Sequence, residues 1–277
     1  MKYKSNVMDL NIKNNVLYLT FKAFEKYDFI NHAFSTKIGG VSKGEYASMN
    51  LGFSRGDAHE NVIENYHLFC NAAGFDYNSL VASSQDHNLN IRVVNSSDRG
   101  IGIYRSQDQE SVDGLVTDKN DVTLVTFYAD CTPLFFIDPV KKVVGLAHAG
   151  WRGTVKRIGD IMVDKMENTY NSKRSDIVCA IGPAIGYCCF EVDYPVYKEF
   201  LELNDLDTKK FIKHNKNGKY MIDLHETNKQ ILLKAGIQEN NIIVSDLCTK
   251  CNHELLFSHR KTKGKRGCMV AMLSIKK

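Results

Sequence analysis

The feature that most restricts the fold of this chain is a series of short apolar runs that are rich in β-branched and aromatic residues. Such runs are typical of β-strands. Many of them are apolar at nearly every position, as expected for strands that are covered on both faces. The predicted strands lie at residues 16–21, 90–94, 122–128, 134–137, 143–148, 177–181 and 242–244. The fold therefore has to cover both sides of its sheets.

Apolar residues recur at helical spacing in four segments, which are residues 59–73, 154–170, 195–203 and 224–235. Gly236 follows the last segment and is a suitable left-handed helix stop. Because strands and helices interleave along the chain, the pattern predicts an α/β or α+β fold with helices outside one or two mixed sheets. No repeat and no Pro/Gly/Ser-rich linker divides the sequence, so we expect a single domain over residues 1–277.

The composition is that of a soluble globular protein, with 43% hydrophobic and 25% charged residues among 277. The net charge of +4 is too small to indicate a protein that binds nucleic acid or a membrane surface. The amino terminus has no apolar run behind a basic segment, so we expect no secretory signal and a cytoplasmic location. The longest apolar region, residues 122–137, is interrupted by Asp130 and is too short to span a bilayer.

Cys131 is the cysteine to which chemistry is most readily assigned. In a reducing cytoplasm the 8 cysteines are expected to be unpaired, and most such thiols are simply buried core residues. Cys131 differs because it follows a predicted strand at a polar break that also contains Asp130, and His148 ends a nearby strand. The two side chains could meet within one sheet, and His87 would complete the group if its loop folds over the same place.

Two imidazoles and one thiolate form a ligand set for zinc, and three protein ligands with an open fourth position are typical of a catalytic zinc site. Such a zinc would lower the pKa of a bound water, with Asp130 beside the ligand cysteine as a candidate acid or base. The ligands are far apart in sequence, so their spacing alone does not decide the nature of the site.

Three other functions stay open at this point. A copper oxidase is one, although none of the 9 histidines forms the H-x-H pair usual in multicopper enzymes. A cysteine hydrolase is the second, with Cys131 as nucleophile and His148 as base. A non-enzymatic partner protein is the third, and no motif supports it.

The other seven cysteines are expected to be structural. Cys248 and Cys251 have the C-x-x-C spacing of a zinc knuckle, but they lack a second pair at a finger-like distance. Cys188 and Cys189 are adjacent, and adjacent residues on a strand point to opposite faces, which argues against joint metal binding. Ordinary buried thiols are therefore the favoured interpretation of both pairs.

Eight short motifs follow one another in the order seen in one known family. They are FSTKIGGVS at 34–42, MNLG at 49–52, QDH at 85–87, DGLVT at 113–117, ADCTP at 129–133, HAGWRG at 148–153, IGPAI at 181–185 and FSHR at 257–260. On these motifs the chain resembles the YfiH/laccase-domain family, whose members are variously called multicopper polyphenol oxidase, purine nucleoside phosphorylase or peptidoglycan editing factor. The first and last of these names leave two alternatives open, a copper-dependent polyphenol oxidase and a cysteine hydrolase that edits peptidoglycan precursors. The similarity covers about residues 30–275, nearly the whole chain.

The resemblance implies a single four-layer α/β/β/α domain with mixed sheets. It implies a zinc ion, with copper as the less favoured metal, at the positions that are occupied here by His87, Cys131 and His148. It also implies phosphorolysis of adenosine, inosine and 5′-methylthioadenosine to the free base and (methylthio)ribose 1-phosphate, together with deamination of adenosine to inosine. The partners are then a purine nucleoside and phosphate, without nucleic acid or membrane, and the chain is expected to be a monomer or a homodimer.

The resemblance also singles out further site residues. The candidate catalytic residues are Cys131, Asp130 and Arg152. Arg152 and Lys37 are candidates to hold the phosphate, and backbone N–H groups near Gly182 could assist because glycine-rich turns form anion-binding nests. Gln85, in the QDH motif, is a candidate substrate contact.

Two departures from the family pattern affect these expectations. Lys37 stands where the family commonly has arginine, which keeps the charge but loses a planar two-pronged contact with an anion. Phosphate affinity is therefore expected to be lower. Residues 260–267 differ from the family's Arg-Arg-Asp-Gly stretch with its later Thr-Gly-Arg, so Arg266 is not included among the catalytic residues.

Overall fold

The computed structural model describes residues 3–215 and 218–276, and its centre is a pair of six-stranded sheets. The strands of the first sheet, in their order across it, are β1 (Met8–Lys13), β2 (Val16–Phe21), β3 (Ile30–Ser35), β15 (Met269–Ile275), β7 (Thr123–Tyr128) and β4 (Leu80–Ala82). Neighbouring strands are antiparallel except for β4 and β7. The last described strand, β15, therefore lies inside the sheet rather than at its edge.

The second sheet is also mixed. Its strands, in order across it, are β14 (Ile242–Val244), β10 (Val178–Ile181), β8 (Thr132–Asp138), β9 (Val143–Ala149), β6 (Val112–Thr117) and β5 (Asn90–Val93). The β10–β14 and β5–β6 pairs are parallel, and the other pairs are antiparallel. A small antiparallel third sheet consists of β11 (Glu191–Val192), β13 (Tyr220–Ile222) and β12 (Ile212–His214).

Helices cover the outer faces of the two large sheets. The α-helices are α1 (His59–Ala73), α2 (Trp151–Val155), α3 (Ile158–Tyr170), α4 (Tyr194–Leu201), α5 (Thr208–Phe211), α6 (Leu224–Lys234) and α7 (His259–Thr262). Side chains of α1 pack against the first sheet, and side chains of α3 and α6 pack against the second. The two sheets pack face to face between them. The predicted α+β fold with four layers, α/β/β/α, is confirmed.

The central core lies between the two sheets. Phe34 and Tyr128 of the first sheet and Phe135 and Leu146 of the second are at most 1% exposed and belong to one apolar cluster. Every residue of β8 and of β9 is buried. The nearly continuous apolar runs in the sequence are explained by this arrangement, because strands between a second sheet and a helix layer have no solvent-facing side.

The segment predicted as one helix over residues 154–170 forms two helices. Arg157, between α2 and α3, has a left-handed backbone with φ +64°, which ends the first helix because consecutive helical hydrogen bonds need right-handed residues. Strands β3 and β6 were not predicted from the sequence. Each contains a buried polar residue that interrupts its apolar pattern, His32 in β3 and Asp113 in β6.

None of the helices in the described parts of the chain is both long and apolar enough to cross a membrane.

Candidate metal centre and its cavity

Three side chains from separate parts of the chain converge at one end of the second sheet. Cys131 immediately precedes β8, His148 lies in the neighbouring β9, and His87 comes from the loop between β4 and β5. The antiparallel register pairs Pro133 with His148, which brings the start of β8 beside the end of β9. One ligand atom from each of Cys131, His148 and His87 lies within 4.8 Å of the others. The fold therefore assembles the ligand set that sequence spacing left open.

Asp113, in β6, connects the two histidines. Its Oδ1 lies 2.7 Å from Nδ1 of His148 and accepts a hydrogen bond from the backbone N–H of His87 at 3.1 Å. Its Oδ2 accepts hydrogen bonds from the backbone N–H groups of Asp86 and Asn88. A carboxylate bound to Nδ1 leaves Nε2 of His148 to bind a metal, and it is the usual outer partner of a metal-bound histidine.

The pKa values of His148, Asp113 and His87 depend on burial and on the charges of their neighbours. Burial lowers the pKa of His148, but the Cys131 thiolate and the Asp113 carboxylate raise it by more, to about 9. Burial raises the pKa of Asp113, while its bonds to His148 and to the loop N–H groups bring it below the ordinary value. Burial, followed by the neighbouring His148, lowers the pKa of His87. His87 is thus ready to bind a metal as the neutral ring, whereas His148 has to release a proton.

The backbone around the site is shaped to admit these ligands. His87 has φ +69° and Asp130, beside Cys131, has φ +84°, values that residues other than glycine seldom adopt. Gly150 is required for another reason, which is space. A Cβ atom at Gly150 would lie 2.5 Å from Nδ1 of His87 and 3.3 Å from Sγ of Cys131.

The three ligand candidates line a cavity of about 480 Å³. Its aromatic lining is Phe53, Phe127 and Tyr128. Its basic lining, apart from the histidines, is Arg55 and Arg266. The other lining residues are Gly52, Ser54, Ser83, Ser84, Gln85, Gly102, Gln107, Ala129 and Cys268.

Arg266 is the most unusual cation of this cavity. It is 8% exposed, and its Nη1 donates to Sγ of Cys268 and to the carbonyl of Gly267. Its buried Nε has no hydrogen-bond partner, and no carboxylate of residues 3–215 and 218–276 forms a salt bridge with it. A buried guanidinium without an acidic partner is costly unless an anion occupies the site.

The positive charge extends beyond Arg266. Burial and then the Arg266 guanidinium lower the pKa of nearby His259; Asp130 opposes this shift, and Arg55 and Arg260 add to it. This region therefore has a local excess of positive charge, of the kind that binds anions.

Gln85 lines the cavity, but its amide is already paired with the protein. Its Nε2 donates to the carbonyl of Phe127, and its Oε1 accepts from the backbone N–H of Phe127 and from the Ser83 hydroxyl. The side chain of Gln85 thus ties the loop that carries His87 to strand β7.

The lining of this cavity, among the described residues, does not include Asp130, Arg152, Lys37 or Gly182. The Asp130 carboxylate accepts hydrogen bonds from the Thr249 hydroxyl at 2.5 Å and from the backbone N–H of Arg260 at 2.7 Å. These bonds hold the turn next to Cys131.

The three predicted phosphate contacts also lie outside the lining. The N–H of Gly182 donates to the carbonyl of Pro133 at 2.8 Å, so it is not free for an anion. Arg152 is exposed and stacks on Trp151, with its guanidinium carbon 4.3 Å from the ring centroid. Lys37 is partly buried, and burial lowers its pKa.

Sequence reasoning missed three residues of the site. Asp113 had a visible signal, since it opens the DGLVT motif, but nothing in the sequence linked it to His148. Gly150 was visible within HAGWRG, without an indication that its missing side chain makes room for ligands. Arg266 lay in a stretch that departs from the family pattern, and its burial in the cavity is a property of the fold alone.

Comparisons with known proteins agree on the relationships of the chain. A family profile described as multi-copper polyphenol oxidoreductase laccase matches residues 31–276. Purine nucleoside phosphorylase YlmD of Geobacillus stearothermophilus is 40% identical over 243 residues, which cover 86% of this chain and 88% of that protein. Adenosine deaminase RL5 of an unknown prokaryotic organism is 33% identical over 248 residues, which cover 86% of this chain and 93% of that protein. The crystal structure of Bacillus licheniformis hypothetical protein YfiH has a TM-score of 0.90 at 35% identity, covering 96% of this chain and 99% of that one.

Proposed function

The chain belongs to the multi-copper polyphenol oxidoreductase laccase family, and from this membership we propose that it is a purine nucleoside phosphorylase. The relative that is 40% identical to it carries that name. The observation that carries the proposal is the cavity in which the group of His87, Cys131 and His148 lies together with Arg266, a buried cation without an acidic partner among the described residues. Such a cavity suits an aromatic base together with an anion.

Zinc is the metal that we propose for this site. His87, Cys131 and His148 would hold it, because two imidazoles and a thiolate are a zinc donor set and all three line the cavity. The Asp113–His148 pair supports the assignment as a carboxylate–histidine arrangement. When bound, the zinc would supply a Lewis acid at the cavity.

Copper is the alternative that the family's description raises. Among the described residues, the groups that could hold a metal are this one and a group of four cysteines. Neither provides the histidine-rich sites of a multicopper oxidase. Zinc without copper in the active protein is therefore the expected result of metal analysis.

Arg266 and Arg55 are the residues to which we assign the phosphate. A guanidinium binds phosphate oxygens through several N–H groups at once, and the buried Nε of Arg266 lacks any other acceptor among the described residues. Lys37 and Arg152 lie outside the lining, so we assign them no direct contact with phosphate.

The apolar part of the cavity would receive the nucleoside. Phe53 and Phe127 are partly buried aromatic lining residues, and an aromatic face can stack on a purine ring. We propose adenosine, inosine and 5′-methylthioadenosine as substrates.

In the proposed reaction a phosphate oxygen forms a bond to C1′ of the ribose, and the bond from C1′ to N9 of the purine breaks. The electron pair of the broken bond leaves with the base, which then takes up a proton. The residues of the chain would hold phosphate and nucleoside against each other and exclude competing water from C1′ of the ribose. Asp130 would act as a positioning residue, because both of its carboxylate oxygens hold the turn next to Cys131.

Deamination of adenosine is a second activity that we propose for the same cavity. One relative, 33% identical, is named adenosine deaminase. In this reaction water replaces the amino group at C6 of adenine, and ammonia leaves. The two reactions can be distinguished because only phosphorolysis requires phosphate.

The test is product identification from adenosine, with and without phosphate, using zinc-loaded protein. We expect adenine and ribose 1-phosphate only when phosphate is present, and inosine in both conditions. Formation of neither adenine nor inosine would exclude the proposal.

Arg266→Gln tests the phosphate assignment separately. We expect it to raise the KM for phosphate about tenfold or more, while the KM for adenosine changes little. Lys265→Gln, at the exposed neighbouring position, is the control and should leave both values unchanged. Equal effects of Arg266→Gln on both KM values would argue against the assignment.

A further inference from the structure

A second group of potential metal ligands lies on two loops outside the cavity lining. We propose that Cys188, Cys189, Cys248 and Cys251 bind a structural zinc ion. Their four Sγ atoms all lie within 4.8 Å of one another. The proposal does not depend on the function that we propose for the chain, because none of these residues lines the cavity among the described residues.

Three of the four sulfur atoms have the spacing of one face of a tetrahedral site, and the Sγ of Cys248 lies within 4.8 Å of each of them. The Sγ of Cys251 lies 3.5 Å from the Sγ of Cys188 and 3.5 Å from that of Cys189, which are 3.6 Å apart. Four thiolates at about 2.3 Å from a central zinc would be separated by about 3.8 Å, as the edge length of a tetrahedron requires. A disulfide would need about 2.05 Å, and all 8 cysteines are free thiols. The sulfur distances in the cluster are therefore close to those of a zinc site and too long for disulfide bonds.

The prediction that Cys188 and Cys189 point to opposite faces assumed that they lie on a β-strand, and this assumption was wrong. Cys188 and Cys189 lie in a turn between β10 and β11 rather than on a strand. The N–H of Cys189 donates to the carbonyl of Gly186, which closes this turn. Both thiols consequently point to Cys251, and the C-x-x-C pair finds its second pair about 60 residues away along the chain.

Backbone contacts prepare the site before a metal binds. Ala184 and Cys248 form a β-bridge, and the N–H of Thr249 donates to the carbonyl of Ala184 at 2.9 Å. The N–H of Gly186 points to Sγ of Cys248 at 3.2 Å, as an N–H group does toward a metal-bound thiolate. The two loops are thus already paired at the point where the thiols meet.

Two of the four cysteines are too exposed to be ordinary core thiols. Cys188 and Cys251 are exposed, whereas structural cysteines without a ligand are usually buried. Exposed neighbouring thiols are prone to oxidation. Zinc binding would release the thiol protons to solvent and cover the sulfurs. The Arg260 guanidinium, 3.4 Å from the carbonyl of Cys189, supplies positive charge near the resulting anionic site.

The proposed zinc would brace the turn beside the candidate metal centre. Thr249 lies between two of the ligands, and its hydroxyl holds the carboxylate of Asp130. Asp130 precedes Cys131 in the chain, so the four-cysteine cluster is connected to the cavity through Thr249 and Asp130. It would act as a structural element because closed tetrathiolate sites leave no open position for substrate.

The experiment is zinc analysis of the full chain purified with reductant and without chelator, comparing single-site variants. We expect two zinc ions per wild-type chain. Cys251→Ser should lose one of them, His148→Ala should lose the other, and Cys70→Ala, which removes a buried thiol elsewhere, should keep both. Cys251→His should retain the second zinc because imidazole can replace a thiolate.

Cobalt substitution gives a readout that does not depend on a variant at the cluster. Co²⁺ added to zinc-depleted His148→Ala should produce the sulfur-to-cobalt charge-transfer absorption of a tetrathiolate site, so the test still decides if Cys251→Ser fails to fold. Zinc content that is unchanged in a folded Cys251→Ser protein, absence of this absorption, or disulfides among the four cysteines in the reduced preparation would overturn the proposal.

Discussion

At the scale of single residues, Asp113 determines how the two histidines of the candidate metal centre are presented. Its four hydrogen bonds reach the ring of His148 and three consecutive backbone N–H groups of the loop that carries His87. An amide in its place has only one oxygen to accept these bonds, so at least one carboxylate contact is lost.

We predict that Asp113→Asn weakens zinc binding about 10- to 100-fold, as loss of an outer partner of a ligand histidine typically does. Competition with a chromogenic chelator measures the affinity. Asp118→Asn, at an exposed position after β6, is the matched control. Wild-type affinity in Asp113→Asn would contradict the role of this carboxylate.

The pH dependence of zinc binding gives a separate check on the same contact. His148, with its pKa raised to about 9, has to release a proton when zinc binds, so affinity should rise with pH up to about 9. In Asp113→Asn the rise should end at lower pH, because the Cys131 thiolate still raises the pKa of His148 but the contribution of the Asp113 carboxylate is absent. An unchanged pH profile in the variant would show that the carboxylate does not control this proton.

His32 predicts sensitivity to acid independently of the metal centre. Its Nε2 accepts the backbone N–H of Phe21 at 2.8 Å, and burial lowers its pKa to about 3. Between about pH 6.5 and pH 3, the imidazole is protonated in the unfolded chain, where its pKa is near 6.5, but stays neutral in the folded protein. Stability is therefore complete above about pH 6.5 and falls as the pH decreases, by about 2 kcal/mol at pH 5.

The effect can be measured by urea unfolding at pH 7.5 and pH 5, comparing the loss of unfolding free energy in the wild type with that in two histidine variants. His32→Gln keeps an acceptor but does not titrate, so it should lose about 2 kcal/mol less than the wild type between these two values. His59→Gln, at an exposed position of α1, should behave as the wild type. Equal losses in all three proteins would contradict the prediction.

At the scale of elements, the site depends on turns at strand ends. The strands that the sequence predicted agree with the structure to within two residues, because buried strands leave clear apolar patterns, whereas the helix predicted over residues 154–170 is divided at Arg157. Helix α1, by contrast, has the predicted limits of His59–Ala73. Strands β3 and β6 were missed, because the hydrogen bonds that satisfy their buried polar residues, such as the one from Phe21 to His32, cannot be read from a sequence.

Gly150, at the turn from β9 into α2, allows a direct test of this dependence. Its φ of −63° suits any residue, so only space requires glycine. Gly150→Ala would place a methyl group 2.5 Å from Nδ1 of His87, and we expect at least a tenfold loss of zinc affinity as the ring is displaced.

A double-variant cycle separates this cause from a general disturbance of the turn. With His87→Ala already present, Gly150→Ala should weaken zinc binding little further, because the ring that it would strike is gone. Equal effects of Gly150→Ala in both backgrounds would contradict the steric explanation.

At the scale of the whole molecule, the order of strands makes the two ends of the chain interdependent. The carboxy-terminal β15 pairs with β3 on one side and with β7 on the other. Neither half of the chain can therefore complete the first sheet alone. On this basis we propose that the chain folds as a single domain, as the sequence predicts.

Met272→Ala tests the proposal that the chain is one domain. Met272 of β15 is fully buried between the first sheet and α1, and its truncation should lower the unfolding free energy by about 2–5 kcal/mol. Trp151, the single tryptophan, packs near the separate apolar cluster around the third sheet. The loss should appear equally in Trp151 fluorescence and in far-ultraviolet circular dichroism, whereas a shift of only one signal would indicate two units.

Long-range convergence is the property that the sequence revealed least. Residues 87, 131 and 148 were proposed as ligands from their residue types and their places near predicted strand ends, and the family resemblance supported the set. Their approach results from sheet register and from a loop held by Asp113. The cluster of Cys188, Cys189, Cys248 and Cys251 was not predicted, because the turn that aligns the first pair has no apolar pattern. Burial of Arg266 likewise depends on surfaces brought together by the whole fold.

We propose that the cavity around His148 carries out phosphorolysis. The most direct test of this claim is the rate of adenine and ribose 1-phosphate formation from adenosine and phosphate, measured for wild type, His148→Ala and the control Cys70→Ala. We predict phosphate-dependent formation of both products by the wild type and by Cys70→Ala, and its loss in a His148→Ala protein with unchanged circular dichroism. Wild-type rates in folded His148→Ala, or no free adenine from the zinc-loaded wild type, would contradict the claim.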